Sequence, residues 1–229
     1  MQVSQQSKEE IYDELKERIL TLQALPHEKL SENAVARQMH VSRTIVRGAL
    51  SRLTDEGLIT VLPQSGTFVN CISMKKVQQT IYAYNTILAR LLEELCSHKL
   101  SKEENAQIRE TEMRMQSLSG NTEERMQRDS LLIELFARLC QKEYIVSFLN
   151  GMNFDLLRVM RLSYDTFAIN SFMYSSTAVE SMNVINRMLF DYVRKRDSVA
   201  AQMLVQNHYN SVMFQTERLK EMYHEYFSG

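Results

Sequence analysis

Between residues 7 and 22 the segment SKEEIYDELKERILTL sets Ile11, Leu15, Ile19 and Leu22 three or four positions apart among charged residues. That period predicts an amphipathic helix with one face to bury. Pro26 closes the segment by steering Leu25 out of the helical basin. Ser31 stands where an N-cap is wanted for a short helix over 32–39, with Ala34, Val35 and Met39 facing inward. After a turn at His40-Val41, Ser42 caps a helix of about 43–56 whose apolar side carries Val46, Ala49, Leu50 and Leu53. Gly57 then falls where a helix end favours a left-handed residue. Residues 58–62 and 67–69 lean toward β structure and flank the turn Pro63-Gln64-Ser65-Gly66, the pattern of a small hairpin. Helix, helix, turn, helix, hairpin is the order of a winged helix-turn-helix.

From Ser73 onward the pattern becomes one of long helices, predicted over 74–98, 102–118, 122–140, 143–165, 175–195 and 198–226. Ser101 with Glu104, and Asn121 with Glu124, have the spacing of capping boxes, and Asp197 is placed to cap the last helix. The fold class read from this is mainly α. A winged helix-turn-helix over 1–72 precedes an all-helical bundle over 73–229, with a short hinge near 72–77.

Composition agrees with a helical chain. The 229 residues include only 6 Gly and 2 Pro, and no proline follows Pro63. The polar start MQVSQQSKEE predicts no signal peptide, and no apolar run is long enough to span a membrane. Cys71, Cys96 and Cys140 are odd in number and far apart, as expected of reduced thiols in a cytoplasmic protein. The 14 methionines read as adaptable core filling.

A net charge of −1 does not announce nucleic-acid binding, but the distribution of charge does. From Arg37 to Arg52 the chain carries Arg37, Arg43, Arg47 and Arg52 without an acid. A recognition helix reads DNA from its N-terminal half, where Arg43, Thr44 and Arg47 lie behind the Ser42 cap. Arg43 and Arg47 share a face at i, i+4, and a guanidinium can clamp a phosphate or bind guanine through two hydrogen bonds. Gly66 at the hairpin tip lets the backbone approach a minor groove closely.

IYDELKERIL, LSENAVARQMHVSRTIVRGALSRLTDEGLI and VLPQSGTFV, in that order over residues 8–70, resemble the N-terminal domain of the GntR regulators. The helical remainder is similar in length and layout to the ligand domain of the FadR-type (FCD) branch. The resemblance implies DNA contacts by Arg43, Thr44 and Arg47 and minor-groove entry by Gly66. It also marks departures. Asn33 stands where the family usually has a further DNA-contacting Arg, Gly48 replaces a usual Glu, and Ile45 replaces a frequent Pro. These put the operator sequence in doubt.

Many members of the branch hold a divalent metal with an Asp, a His four residues later and two further His. The corresponding positions here are Asp129, Ile133, Asn186 and His208. Ile133 has no donor atom and Asn186 offers a weak carbonyl, so the resemblance implies a degenerate site, and we expect neither a tightly held metal nor another cofactor. Asp129 and His208 remain as a polar pair able to orient a ligand. Arg90, Arg158 and Arg161 fall in helices that line the family's cavity, where an inward guanidinium would suit the carboxylate of an organic acid.

No nucleophile stands beside a base, and neither a P-loop nor a dinucleotide fingerprint occurs, so no enzymatic activity is expected. The expected partners are double-stranded DNA, a small-molecule effector and a second copy of the chain, in a dimeric repressor on an inverted repeat. Two alternatives stay open. Asn33 and the near-neutral charge fit a helical ligand-binding or interaction module whose winged domain has lost specific DNA binding. Asp129 and His208 would also fit a metal-dependent enzyme.

Overall fold

The computed structural model describes residues 8–118, 121–169 and 175–228. Residues 1–7 of the polar start lie outside them. The chain divides into two compact units. Among the described residues, one comprises 8–74 together with 220–228, and the other lies within Lys75–Leu219.

In the first unit α1 (Lys8–Leu20) buries Ile11, Tyr12, Leu15 and Ile19. Leu22, expected on the same face, turns out of the helix with φ +57°. Residues 29–30 form a two-residue strand, β1 (Lys29–Leu30), too short to leave a periodic signal in the sequence. The helices α2 (Glu32–Gln38) and α3 (Arg43–Asp55) follow, and Ser31 and Ser42 accept a backbone N–H at each start. On α2 it is Ala36, not Ala34, that faces inward beside Val35 and Met39. On α3 the stripe Val46, Ala49, Leu50 and Leu53 is buried, and Gly57 takes φ +71° after the helix end.

β2 (Ile59–Leu62) and β3 (Gly66–Val69) form the expected hairpin, in register Ile59 to Val69 and Leu62 to Gly66. The sheet has a third, antiparallel strand, because β1 pairs with β3 on its other edge. A second small sheet joins β4 (Ile72–Ser73) in parallel to β5 (Phe227–Ser228) at the far end of the chain. Residues 220–228 group with the winged unit, whereas the sequence reading runs the helical domain over 73–229.

The second unit is helical: α4 (Met74–Cys96), α5 (Lys102–Gln116), α6 (Thr122–Leu139), α7 (Tyr144–Asn150), α8 (Phe154–Ile169), α9 (Ser175–Lys195) and α10 (Ser198–Met222), the ends of α4 and α10 belonging to the first unit. Ser101 and Glu104 close a reciprocal capping box on α5, Asn121 caps α6, and Asp197 accepts from Ala200 N–H at 3.0 Å to cap α10. The single helix expected over 143–165 is two helices. Gly151 ends α7, Met152 turns its carbonyl to the Thr80 hydroxyl at 3.2 Å, and the buried Asn153 amide donates to Tyr84 at 3.0 Å. Those tertiary bonds hold the break. The last helix likewise stops at Met222, short of the expected 226, before the turn that delivers β5.

Candidate functional site

Two places concentrate chemistry, the exposed face of α3 and a cavity in the helical unit. On α3 the Ser42 hydroxyl accepts from Ile45 N–H at 3.4 Å, fixing the first turn. Arg43, Thr44 and Arg47 follow on the solvent side, the two guanidinium side chains being 61% and 67% exposed. The four arginines between 37 and 52 do not act alike. Arg52 lies over the Tyr12 ring, 3.6 Å from its centre, and donates to Glu9 at 2.6 Å, so it braces α1 against α3. Arg37 bonds back to the Asn33 carbonyl at 3.3 Å, and the Asn33 side chain is exposed on α2.

An acid that the sequence did not single out sits against this arginine face. Glu32 accepts from Arg47 Nε at 3.2 Å and Nη2 at 3.1 Å, and lies 3.7 Å from Arg43. The hydrogen bonds from Arg47, followed by the charges of Arg47 and Arg43, outweigh partial burial and hold the Glu32 carboxyl below its ordinary value. Glu32 precedes Asn33 in sequence, and only the packing of α2 across α3 reveals the contact.

At the wing Gly66 has φ +122°, a region that L side chains rarely adopt. A Cβ there would also come within 2.6 Å of the Lys29 Cε. Lys29 crosses from β1 toward the tip, its ammonium 5.8 Å from the Phe68 ring centre. It adds a basic group to the wing that no sequence motif marks.

The cavity, of about 60 Å³, lies among α4, α6, α9 and α10. Its wall is largely apolar, with Leu88, Ile133, Phe136 and Leu204 among its residues. Asp129, Asn186 and His208 line it. The Asp129 carboxylate accepts from the Tyr164 hydroxyl at 2.8 Å and lies 3.4 Å from His208 Nε2. Burial raises the Asp129 carboxyl above its ordinary value, against the opposing effects of His208, the Tyr164 hydrogen bond and Arg128.

As a metal set these residues are poor. Ile133 has no donor, Asn186 is neutral, and among the described residues no three His, Cys, Asp or Glu side chains group to hold an ion. A buried cation, Arg128, shares the wall and would oppose a divalent ion.

Three arginines expected at the cavity are elsewhere. Arg90 is 77% exposed and pairs with Glu93 along α4. Arg158 is fully buried in an ion pair with Asp155 on its own helix, where it serves packing. Arg161 pairs with Glu123 and Asp165, tying α8 to the start of α6. Helical position alone did not specify which face each would take. Arg128, by contrast, was missed, because it sits in the polar, charge-rich first half of α6 that reads as a solvated surface.

Against this geometry, residues 7–69 match the family described as bacterial regulatory proteins, gntR family, and residues 80–211 match the FCD domain. The chain belongs to the FCD branch of the GntR regulators. It is therefore a DNA-binding transcriptional regulator. It is 25% identical over 222 residues to an uncharacterised HTH-type transcriptional regulator of Streptomyces ambofaciens, covering 97% of this chain and 90% of that one. Over 70 residues it is 40% identical to the HTH-type transcriptional repressor RspR of Escherichia coli K12, covering 31% of each chain. Among solved structures, E. coli McbR/YncC aligns with a TM-score of 0.68 at 13% identity, covering 93% of this chain and 97% of that one, a likeness of fold. No helix among the described residues of this regulator is long and apolar enough to cross a membrane. Burial pushes the Cys140 thiol up to about 11 and raises that of Cys96, which leaves both poor nucleophiles at neutral pH.

Proposed function

We propose that the regulator is a cytoplasmic, dimeric repressor that binds an inverted-repeat operator and releases it when a small organic acid enters the bundle cavity. The observation that carries the DNA half is the exposed face formed by Arg43, Thr44 and Arg47 at the capped start of α3. Set in a major groove, that face offers two guanidinium groups to bases or phosphates, and Gly66 with Lys29 presents the wing to the neighbouring backbone. Ser42 holds the helix start. Asn33, with its short neutral side chain, supplies at most a hydrogen bond where the family has a cation.

Dimerisation is supported by operator symmetry and by the limited DNA surface that one small module can bury. Exposed apolar side chains on the helical unit, Tyr144 and Phe148 of α7 among them, are suited to a partner surface. The effector acts through two states of the dimer that DNA and ligand favour differently. The eroded donor set around Asp129 and His208 supports an effector site that works without a resident metal, and membership of a regulator family supports a protein with no enzymatic role.

A gel shift on the DNA upstream of the regulator's own gene tests the reading. Salt-sensitive binding that disappears in an Arg43→Ala, Arg47→Ala variant is expected. Binding that survives the double substitution would refute the assignment of this face. No binding by the wild type to that or any other duplex would favour a winged domain retained for protein interaction, the reading that Asn33 and the Glu32 pairing support.

A further inference from the structure

Three residues that line the cavity each hold a buried nitrogen with no hydrogen-bond partner among the described residues: Arg128 Nη1, Asn186 Nδ2 and His208 Nε2. A buried donor without a protein partner is met in folded proteins by water, an ion or a ligand. His208 Nε2 has the Asp129 carboxylate 3.4 Å away without hydrogen-bond alignment, and an amide can turn either end inward. Arg128 has no such freedom. A guanidinium only donates and keeps its charge at neutral pH.

The rest of the Arg128 head is held in place. Nε donates to the Met115 carbonyl at 3.2 Å and Nη2 to the Leu118 carbonyl at 2.5 Å, at the end of α5. The side chain is completely buried, and the third nitrogen, Nη1, is left over within that frame. The neighbouring carboxylate does not take it, because Asp129 turns its oxygens to Tyr164 and toward His208. The cavity therefore combines one fixed cation with a free N–H, further polar nitrogens, and apolar walls from Leu88, Leu132 and Phe136.

We propose that Arg128 is the anion anchor of this site and binds the carboxylate of a compact, apolar-bodied acid directly, in place of a metal ion. One carboxylate oxygen accepts from Nη1, the other faces Asn186 and His208, and the hydrocarbon part lies against the leucines and Phe136. A space of about 60 Å³ holds only a small body, such as a short or branched aliphatic chain. The inference rests on the cavity being the effector site, and it goes further in naming the group that recognises the effector and the ligand's charge.

The test is isothermal titration calorimetry of the full-length protein in the presence of a chelator. Butanoate and 3-methylbutanoate are compared with their amides and with 3-methylbutylamine. The acids are expected to bind at least about tenfold more tightly than the amides, since a charge-assisted contact is lost in the amide, and the amine is expected not to bind. Arg128→Lys, which keeps the charge and one donor to the α5 carbonyls, should weaken acid binding by about tenfold or more. Leu204→Trp, which fills the cavity and leaves Arg128 in place, should abolish it.

The acid and amide comparison on the wild type needs no variant to fold. Equal binding of acids and amides, preference for the amine, loss of acid binding in the chelator, unchanged affinity in Arg128→Lys, or no acid binding at all would each overturn the proposal. The regulator reading is judged separately, by whether the same preparation shifts DNA. If it does, and a neutral or cationic probe binds instead, the effector site stands and the anion anchor falls.

Discussion

Replacing Glu32 with Gln should tighten binding to non-specific DNA, by an amount that follows from the geometry. In the free protein the carboxylate accepts two hydrogen bonds from Arg47 and sits 3.7 Å from Arg43, so both cations proposed to contact DNA are partly neutralised. Binding must loosen these contacts and bring the carboxylate toward phosphates. Exposed ion pairs of this kind are weak, and giving one up costs about two- to fivefold in an equilibrium constant. A carboxylate left roughly 8 Å from a phosphate in water costs about another twofold. Glu32→Gln removes both effects while keeping a side chain of the same shape. Affinity for a random duplex should rise about three- to tenfold at 50 mM salt, and the gain should shrink by 200 mM as the charges are screened. Fluorescence anisotropy with a labelled 30-base-pair duplex measures this directly. Unchanged or weaker non-specific binding would refute the reasoning and make Glu32 a bracket that holds the arginines in their reading posture.

Gly48→Ala should stabilise the winged unit by about 1 kcal/mol through helix propensity, since the new Cβ meets only the flexible end of Lys8, with Cε 2.8 Å away; a denaturant titration followed by circular dichroism would show it. Asp155→Ala removes the carboxylate paired with the buried Arg158 guanidinium and should cost about 3 kcal/mol; thermal unfolding of the variant against the wild type makes the comparison. The Asp129 carboxyl lies above its ordinary 3.8 in the folded protein, so it takes up its proton more readily folded than unfolded. Its contribution to stability is complete below that ordinary value and is lost as pH rises through the folded one. Asp129→Asn, which can still accept from Tyr164, should therefore be at least as stable as the wild type at pH 7, with the advantage fading toward pH 4. A wild type clearly more stable than the variant at pH 7 would contradict the burial argument.

Much of the winged unit was legible in the residue pattern because its signals are local. The stripe Val46, Ala49, Leu50 and Leu53, the caps at Ser31 and Ser42, and the left-handed Gly57 each depend on near neighbours in the chain, and the structure has them as the spacing predicts. The polar face of α3 follows as the complement of its buried stripe, which is why Arg43, Thr44 and Arg47 could be named from sequence. Strands of two residues carry no periodicity. β1, β4 and β5 exist only because distant partners supply their hydrogen bonds.

The cavity shows the opposite balance. Asp129, Asn186 and His208 could be placed by resemblance, and the structure lines one cavity with all three, but the direction of a charged side chain on a long helix depends on what packs against it. Arg90 turned to solvent, Arg158 into an ion pair on its own helix and Arg161 to Glu123, while Arg128 turned inward to the carbonyls of Met115 and Leu118. The sequence by itself determined a helical regulator with an exposed arginine face on its third helix, because helix period and capping are properties of neighbouring residues. Only the tertiary structure decided that Glu32 pairs with Arg47 and Arg43 and that the buried Arg128 guanidinium, a residue of the cavity wall, keeps an unpaired donor, because both depend on contacts between separate helices.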